Sequence, residues 1–430
     1  MIVYQEGPVT LHHDDCLVAL RGMADESVHA VVTDPPYGLA NTDPAHVVEA
    51  LTKWATGDRE FIPEGRGFMG KAWDAFVPPP AVWDECLRVL KPGGHLLAFA
   101  GSRTFDLMTL SIRFAGFDIR DSIAWLYGSG FPKSLDVGKA IDKAAGVERE
   151  VVGERKKLQS YGDQAGNAVY GSGPDKGGVQ KITAPATEAA RLWDGWGTAL
   201  KPAFEPIVVA RKPFPGTVAA NVLAHGTGAL NIDATRIPGT KPDTTRGGNQ
   251  LGTMNDDGWQ PKQTGERIVD DGKGRWPANV ILDESQAAEL DRQAPSTGAS
   301  ASVRGTEQSA ASNGTVTGER ARVPGAFHGD VGGASRFFYV AKAPTSERPE
   351  VEGTMHATVK PLDLMQRLIR LVTPPGGTVV DPFAGSGTTL EAAVREGFDV
   401  IGVEREAEYL PLILKRVQKD HAQSLFGDDL

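Results

Sequence analysis

The chain has 430 residues, 40% of them hydrophobic, with two cysteines and a formal net charge of −10. That is enough apolar material for two domains, or for one large domain carrying an insertion. Two cysteines cannot build a disulfide framework or a multi-cysteine zinc site, and the acidic balance argues against a protein that coats nucleic acid through Lys and Arg.

Taken in chain order, the start "MIVYQEGPVTLHHDD" lacks a basic, then apolar, signal pattern, and no apolar run reaches bilayer length. A cytoplasmic, reducing setting is therefore expected. In "LHHDDCLVAL", Asp15 reads as a turn aspartate or a helix N-cap. His12 and His13 beside it have no third partner at metal-ligand spacing, so no metal is expected. "HAVVTD", residues 29–34, is a strand of β-branched residues that runs directly into "PPYG". "RGFMGKAWD", residues 66–74, reads as a loop, "PAVWDECLRVLK" as a helix, and "GGHLLAFAG" as a second strand. This alternation over residues 1 to about 130 is the rhythm of an α/β fold.

From about 134 to 195, and again from about 236 to 330, the chain is rich in Gly, Ser, Thr, Pro and charge. These stretches read as loops, or as segments ordered only by a partner. Apolar islands interrupt them: "ALKPAFEPIVVARKPF", "GALNIDATRI", "RWPANVILD" and "SRFFYVAKAP" are expected to be strands or packed turns. Phe337, Phe338 and Tyr339 in the last island are expected in a core, and Arg236, Arg246, Arg275 and Arg336 on solvated faces.

The α/β rhythm returns near 355 and peaks in "GGTVVDPFAGSGTTLEAAVREGFDVIGVERE", residues 376–406. "TVVD" is a strand, "FAGSG" a glycine turn, "TTLEAAVREG" a helix closed by glycine, and "DVIGVE" a second strand ending in an acid. Gly385 and Gly387 let the backbone turn tightly and approach a ligand, and Glu404 would accept hydrogen bonds from ribose hydroxyls. Thr388 and Thr389 stand where a dinucleotide fingerprint has its third glycine, and no phosphate-loop lysine follows. A pyrophosphate is therefore not the expected cargo. Asp381 at the mouth of the first strand suits a positively charged amino-acid end, so S-adenosylmethionine fits both ends of the site.

"TDPPYG", "HATVKPLDLM" at 356–365 and "DPFAGSGTT" at 381–389 occur in that order over most of the chain. Together they resemble the β group of amino-directed DNA methyltransferases, in which the catalytic motif precedes the cofactor motif. "GALNIDATRI" and "RWPANVILD" resemble a subgroup common in phage and bacterial genomes. Ala357 departs from the proline usual in the family.

The resemblance implies a Rossmann-like S-adenosylmethionine-dependent fold, with a seven-stranded, mainly parallel α/β sheet, one reversed strand and an inserted target-recognition region. Residues 1–213 would form the catalytic half, 214–354 the target-recognition region and 355–430 the cofactor half. The catalytic set it implies is Asp34, Pro35, Pro36 and Tyr37. Asp34 and the Pro35 carbonyl would accept the two N–H groups of an exocyclic amine, the prolines fixing φ so that both converge, while Tyr37 stacks on a base flipped out of the duplex. The cofactor set it implies is Asp15, Cys16, Asp34, Lys360, Pro361, Asp381, Pro382, Phe383, Gly385, Ser386, Gly387, Glu404 and Arg405. Gly38 would free the chain to leave the strand, and 66–74 would form part of a lid.

The partner implied is double-stranded DNA, with a homodimer common in the group. An acid in the first motif position, where cytosine-N4 enzymes usually have serine, favours adenine N6; the resemblance also implies a restriction-modification setting. Cytosine N4, RNA or a glutamine side chain are the alternatives that keep the chemistry, and an inactive DNA-binding relic is the alternative that drops it.

Overall fold

The computed structural model describes residues 1–39, 43–65, 67, 74–130, 134–156, 179–239, 244–246, 253–255, 258–260, 266–268, 272–294, 332–342, 347, 349–351, 353–356 and 358–425. Ala357, most of the 66–74 loop and the glycine- and serine-rich stretch 295–331 lie outside them. The chain forms two compact units: Met1–Asn231, Asn279–Ser285 and Ala341–Leu430 in the larger, and Ile232–Ala278 with Gln286–Val340 in the smaller.

The larger unit is built on one sheet. Nine of its ten strands are β1 (Ile2–Glu6), β2 (Val9–His13), β3 (Val28–Thr33), β4 (Leu90–Phe99), β5 (Asp118–Leu126), β6 (Phe204–Arg211), β7 (Val280–Asp283), β8 (Thr378–Asp381) and β9 (Asp399–Glu404). Across the sheet they lie in the order β1-β2-β9-β8-β3-β4-β6-β5-β7. Strands β2, β9, β8, β3 and β4 run parallel, while β6 is antiparallel to both β4 and β5. The expected seven strands, one of them reversed, are therefore β2 to β5 in that order. The sheet extends further than expected at both sides, because β1 folds back on β2 and β7 adds a parallel strand beside β5.

The two motif-bearing ends of the chain meet through β8 and β3, where Val379 pairs with Ala30 and Val380 with Val31. Apart from His29 and Thr378, which are half-buried, both strands are buried throughout, as parallel strands covered on two faces should be. Helix Pro80–Val89, opened by proline at its first turn, buries Val82, Trp83, Cys86 and Val89 against the sheet. Trp54, Trp83, Phe76, Leu96 and Met108 belong to the same core, each large side chain contributing roughly 1.5–3 kcal/mol by leaving water.

The segment between β5 and β6 is more ordered than its composition suggests. Helix Val137–Ala144, a hairpin of Val151–Lys156 with Val179–Thr183, and helix Glu188–Leu192 fill its described part. Asp142, 1% exposed, explains why: it accepts hydrogen bonds from the Ala186 and Thr187 amides and the Thr187 hydroxyl, and pairs with Arg149 at 3.1 Å. One buried carboxylate thus ties both arms of the excursion together, a non-local contact that composition does not register.

In the smaller unit, Ile237 bridges to Arg275, and short hairpins join Thr253–Asn255 to Gly258–Gln260 and Thr244–Arg246 to Glu266–Ile268. Asp291 holds Ser335 through both its amide and its hydroxyl. Phe337 is not in a core: it is 46% exposed, with the Arg275 and Arg336 guanidiniums 4.9 and 4.3 Å from its ring centre. Cation–π contact, rather than burial, accounts for its position. Phe338 and Tyr339 are half-buried. Among the described residues no helix is long and apolar enough to cross a membrane.

Candidate active site

Parallel strands deliver their carboxyl ends to one edge of a sheet, and open α/β folds bind ligands there. Strands β2, β9, β8 and β3 are successive neighbours, and each ends at or just before an acid: Asp15, Glu404, Asp381 and Asp34. The row therefore gathers residues that are up to 389 positions apart in the chain. The four carboxylates do different things.

Asp34 follows β3, half-buried, with Pro35 buried behind it. Its Oδ2 accepts from Lys360 Nζ at 2.7 Å and its Oδ1 from the Tyr37 hydroxyl at 2.8 Å. Glu205 faces the same two donors, at 3.2 Å from Lys360 Nζ and 3.0 Å from the Tyr37 hydroxyl. Burial opposes the charge on Lys360, but the two carboxylates outweigh it and hold the ammonium's pKa above the usual lysine value. The same ammonium lies 5.0 Å from the Phe99 ring centre and 5.4 Å from that of Tyr37. Burial first, then the charges of Asp34 and Glu205, push the Tyr37 phenol well up, so it acts as a donor. Two carboxylates, one ammonium and one neutral phenol give the cluster a formal charge of −1.

The loop after Asp34 is held from below. Asp74, 5% exposed, accepts from the Tyr37 amide at 2.9 Å and the Gly38 amide at 3.1 Å, while the Thr104 hydroxyl donates to the Tyr37 carbonyl at 2.6 Å. Gly38 has φ +62°, and a Cβ there would lie 2.6 Å from the backbone of Phe76 and Val77. Only glycine fits both constraints.

Asp381 is 2% exposed and turned inward, accepting from the Thr33 hydroxyl at 2.6 Å and the Phe383 amide at 3.0 Å. Burial raises its pKa to about 6 against these hydrogen bonds. Its carboxylate therefore joins β8 to β3. Pro382 and Phe383 continue into the glycine turn, where Gly385 has φ +52° and Gly387, which caps helix Thr388–Arg395, has φ +82°. A Cβ on Gly385 would come 3.2 Å from His356 Nε2, and one on Gly387 3.0 Å from Ile413. The buried Ser386 hydroxyl pairs with Thr388 at 3.2 Å.

Glu404, 7% exposed, accepts from the Gly385 amide and the Glu406 amide, both at 2.7 Å. Burial raises its carboxyl to about 7, the two amides pulling the other way. Arg405 beside it is exposed, its carbonyl 3.1 Å from His13 Nε2. Asp15 caps helix Cys16–Arg21 through the Leu17 amide at 2.9 Å. Burial pushes the Cys16 thiol up to about 12, so it is a packing residue rather than a nucleophile. Pro361 opens helix Leu362–Val372 and sets Lys360 at its mouth.

Two groups missed in the sequence stand here. Glu205 has one signal, a charge at the entry of the apolar run "PIVVA". Asp74 sits at the end of a segment read as a lid, yet its carboxylate faces the DPPY loop.

The strand order and the glycine turn define the class, a Rossmann-like S-adenosylmethionine-dependent methyltransferase. The residues suit that cofactor: a glycine turn against a helix N-terminus, a carboxylate at the turn and a net negative cluster nearby. The DNA methylase family of N6 and N4 methyltransferases matches residues 28–415, and the chain belongs to that family. It is an amino-directed DNA methyltransferase, with S-adenosylmethionine as cofactor. The type II methyltransferase M.HindIII of Haemophilus influenzae is 23% identical over 92% of this chain and 90% of its own length. The DNA adenine methyltransferase YhdJ of Escherichia coli is 44% identical over a shorter stretch, 14% of this chain and 21% of that protein. Among solved structures, the PvuII cytosine-N4-specific DNA methyltransferase is 13% identical over 96% of this chain and 88% of that one, with a TM-score of 0.41. The M1.HpyAVI–SAM complex is 15% identical over 95% and 98%, with a TM-score of 0.37.

Proposed function

We propose that the chain methylates adenine N6 at a specific sequence in duplex DNA, acting on a base flipped from the helix. The observation that carries this is the placing of Asp34, at the end of β3, within reach of Lys360, Tyr37 and Glu205. An exocyclic amine is a poor nucleophile because its lone pair is delocalised into the ring. Asp34 accepts one N–H and the Pro35 carbonyl the other, which turns the nitrogen lone pair out of the ring plane toward the methyl donor. Tyr37 stacks on the base. No strong general base is needed, because the nitrogen sheds its proton after it has gained the methyl group.

S-adenosylmethionine supplies, when bound, a methyl group on a positively charged sulfur. Glu404 would accept from its ribose, the Gly385–Gly387 turn would lie against it, and Asp15, Cys16, Lys360, Pro361 and Arg405 complete the proposed cofactor set. Asp381 would act on it through the backbone, since it is 2% exposed and its carboxylate is engaged by Thr33, Thr389 and Phe383. Target recognition is assigned to 214–354, which contains the smaller unit.

The aspartate in the first motif position supports adenine, as does the name of the relative YhdJ. Mapping of modified bases in DNA from cells expressing the chain tests this. N6-methyladenine at one recurring sequence is expected, and N4-methylcytosine instead would overturn the choice of base.

A further inference from the structure

We propose that Glu205 is a positioning residue for the methyl transfer: it shares Lys360 and the Tyr37 hydroxyl with Asp34, and so keeps an Asp34 oxygen open to the substrate amine. The inference rests on Asp34 being the acceptor of that amine, and it goes beyond the residues of any of the three motifs.

The topology explains how Glu205 arrives. Every other strand around the site ends there, but β6 runs the opposite way, so it begins there. Its second residue is therefore carried to the carboxyl edge of the sheet, opposite Trp125 on β5, and lies against a motif 171 positions earlier.

Counting hydrogen bonds then shows what it does. The Tyr37 hydroxyl has one proton and two carboxylate oxygens in range, Asp34 Oδ1 at 2.8 Å and Glu205 Oε2 at 3.0 Å. An amine N–H presented to Asp34 Oδ1 must compete with that proton. With Glu205 in place, the hydroxyl turns to a second anion without any heavy atom having to travel. Lys360 behaves likewise: 7% exposed, it reaches Asp34 at 2.7 Å and Glu205 at 3.2 Å, so neither carboxylate bears the whole ammonium. Without the Glu205 charge, Lys360 would concentrate on Asp34, and the acceptor would be held by its own counter-ion when the substrate needs it.

The test uses the full chain, labelled S-adenosylmethionine and DNA carrying many potential sites, with S-adenosylhomocysteine affinity and thermal unfolding measured in parallel. The variants are Glu205→Gln, Glu205→Asp and Asp34→Ala. We expect Glu205→Gln to lower kcat roughly tenfold, with S-adenosylhomocysteine affinity within about twofold of wild type. Glu205→Asp, which keeps the charge, should recover most of the rate. A Glu205→Gln variant with wild-type kcat would overturn the inference. So would a Glu205→Asp variant no faster than Glu205→Gln, or a rate loss matched by an equal loss of cofactor affinity or of melting temperature in both Glu205 variants. Asp34→Ala separates the two levels: it should abolish transfer, and an active Asp34→Ala would sink the role of Asp34 and this inference with it.

Discussion

If Glu404 accepts hydrogen bonds from the cofactor ribose, as proposed, its protonation and cofactor binding are coupled. Its pKa of about 7 has burial as the chief cause, opposed by the two backbone amides it accepts from. Only the ionised carboxylate is a pure acceptor for ribose hydroxyls. The folded-state pKa is raised, so the carboxylate is present above about pH 7 and lost as the pH falls through that value. Calorimetry with S-adenosylhomocysteine should therefore show affinity about tenfold weaker at pH 6 than at pH 8. Glu404→Gln should bind more weakly at pH 8 and lose most of that dependence. A flat profile in the wild-type protein would detach Glu404 from the ribose. Asp381, by contrast, is 2% exposed, its Oδ1 accepts from both Thr33 and Phe383, and Thr389 also hydrogen-bonds its carboxylate.

At the scale of elements, the DPPY loop depends on a turn as much as on its prolines. Asp74 gathers the Tyr37 and Gly38 amides, and the chain can leave β3 only because Gly38 takes a positive φ against the backbone of Phe76 and Val77. Gly38→Ala adds strain in that conformation and a 2.6 Å contact with backbone that has no free rotor to yield. It should destabilise the fold by about 2–4 kcal/mol in urea unfolding and cut activity at temperatures where the variant remains folded. A change below about 0.5 kcal/mol would mean the loop relaxes freely. The excursion between β5 and β6 makes a related point. Its glycine and serine content favours loops, yet Asp142 and Arg149 pair across it and fold its described part.

For the whole molecule, the acidic charge and the division into two units bear on how DNA is read. A net charge of −10 gives little long-range attraction to phosphate, so binding should rest on a few local Arg and Lys contacts. The slope of log affinity against log salt should then correspond to roughly 3–6 phosphates neutralised. If 214–354 reads sequence, exchanging it for the matching region of a relative with another target should change which sites are methylated, with S-adenosylhomocysteine affinity unchanged. A chimera still active at the original site would refute that assignment, and a much steeper salt slope would reveal a basic surface that net charge conceals.

Whatever is local in this protein was legible in the amino-acid sequence. The strand into DPPY, the strand, glycine turn and helix of 378–395, and the acid ending "DVIGVE" each carry their reason within a dozen residues, in side-chain size, φ preference and apolar periodicity. The order of the motifs also pointed to the family. Contacts between distant residues were not legible. The partners of Lys360 lie 326 and 155 positions away, the inward turn of Asp381 depends on Thr33 from another strand, and Phe337 sits between two arginines instead of in a core. Glu205 is the clearest case. A charge at the start of an apolar run looks like an ordinary strand entry, and only the reversal of β6 within a parallel sheet brings it beside the DPPY motif, because strand direction is set by the pairing of the whole sheet and by no residue in the strand itself.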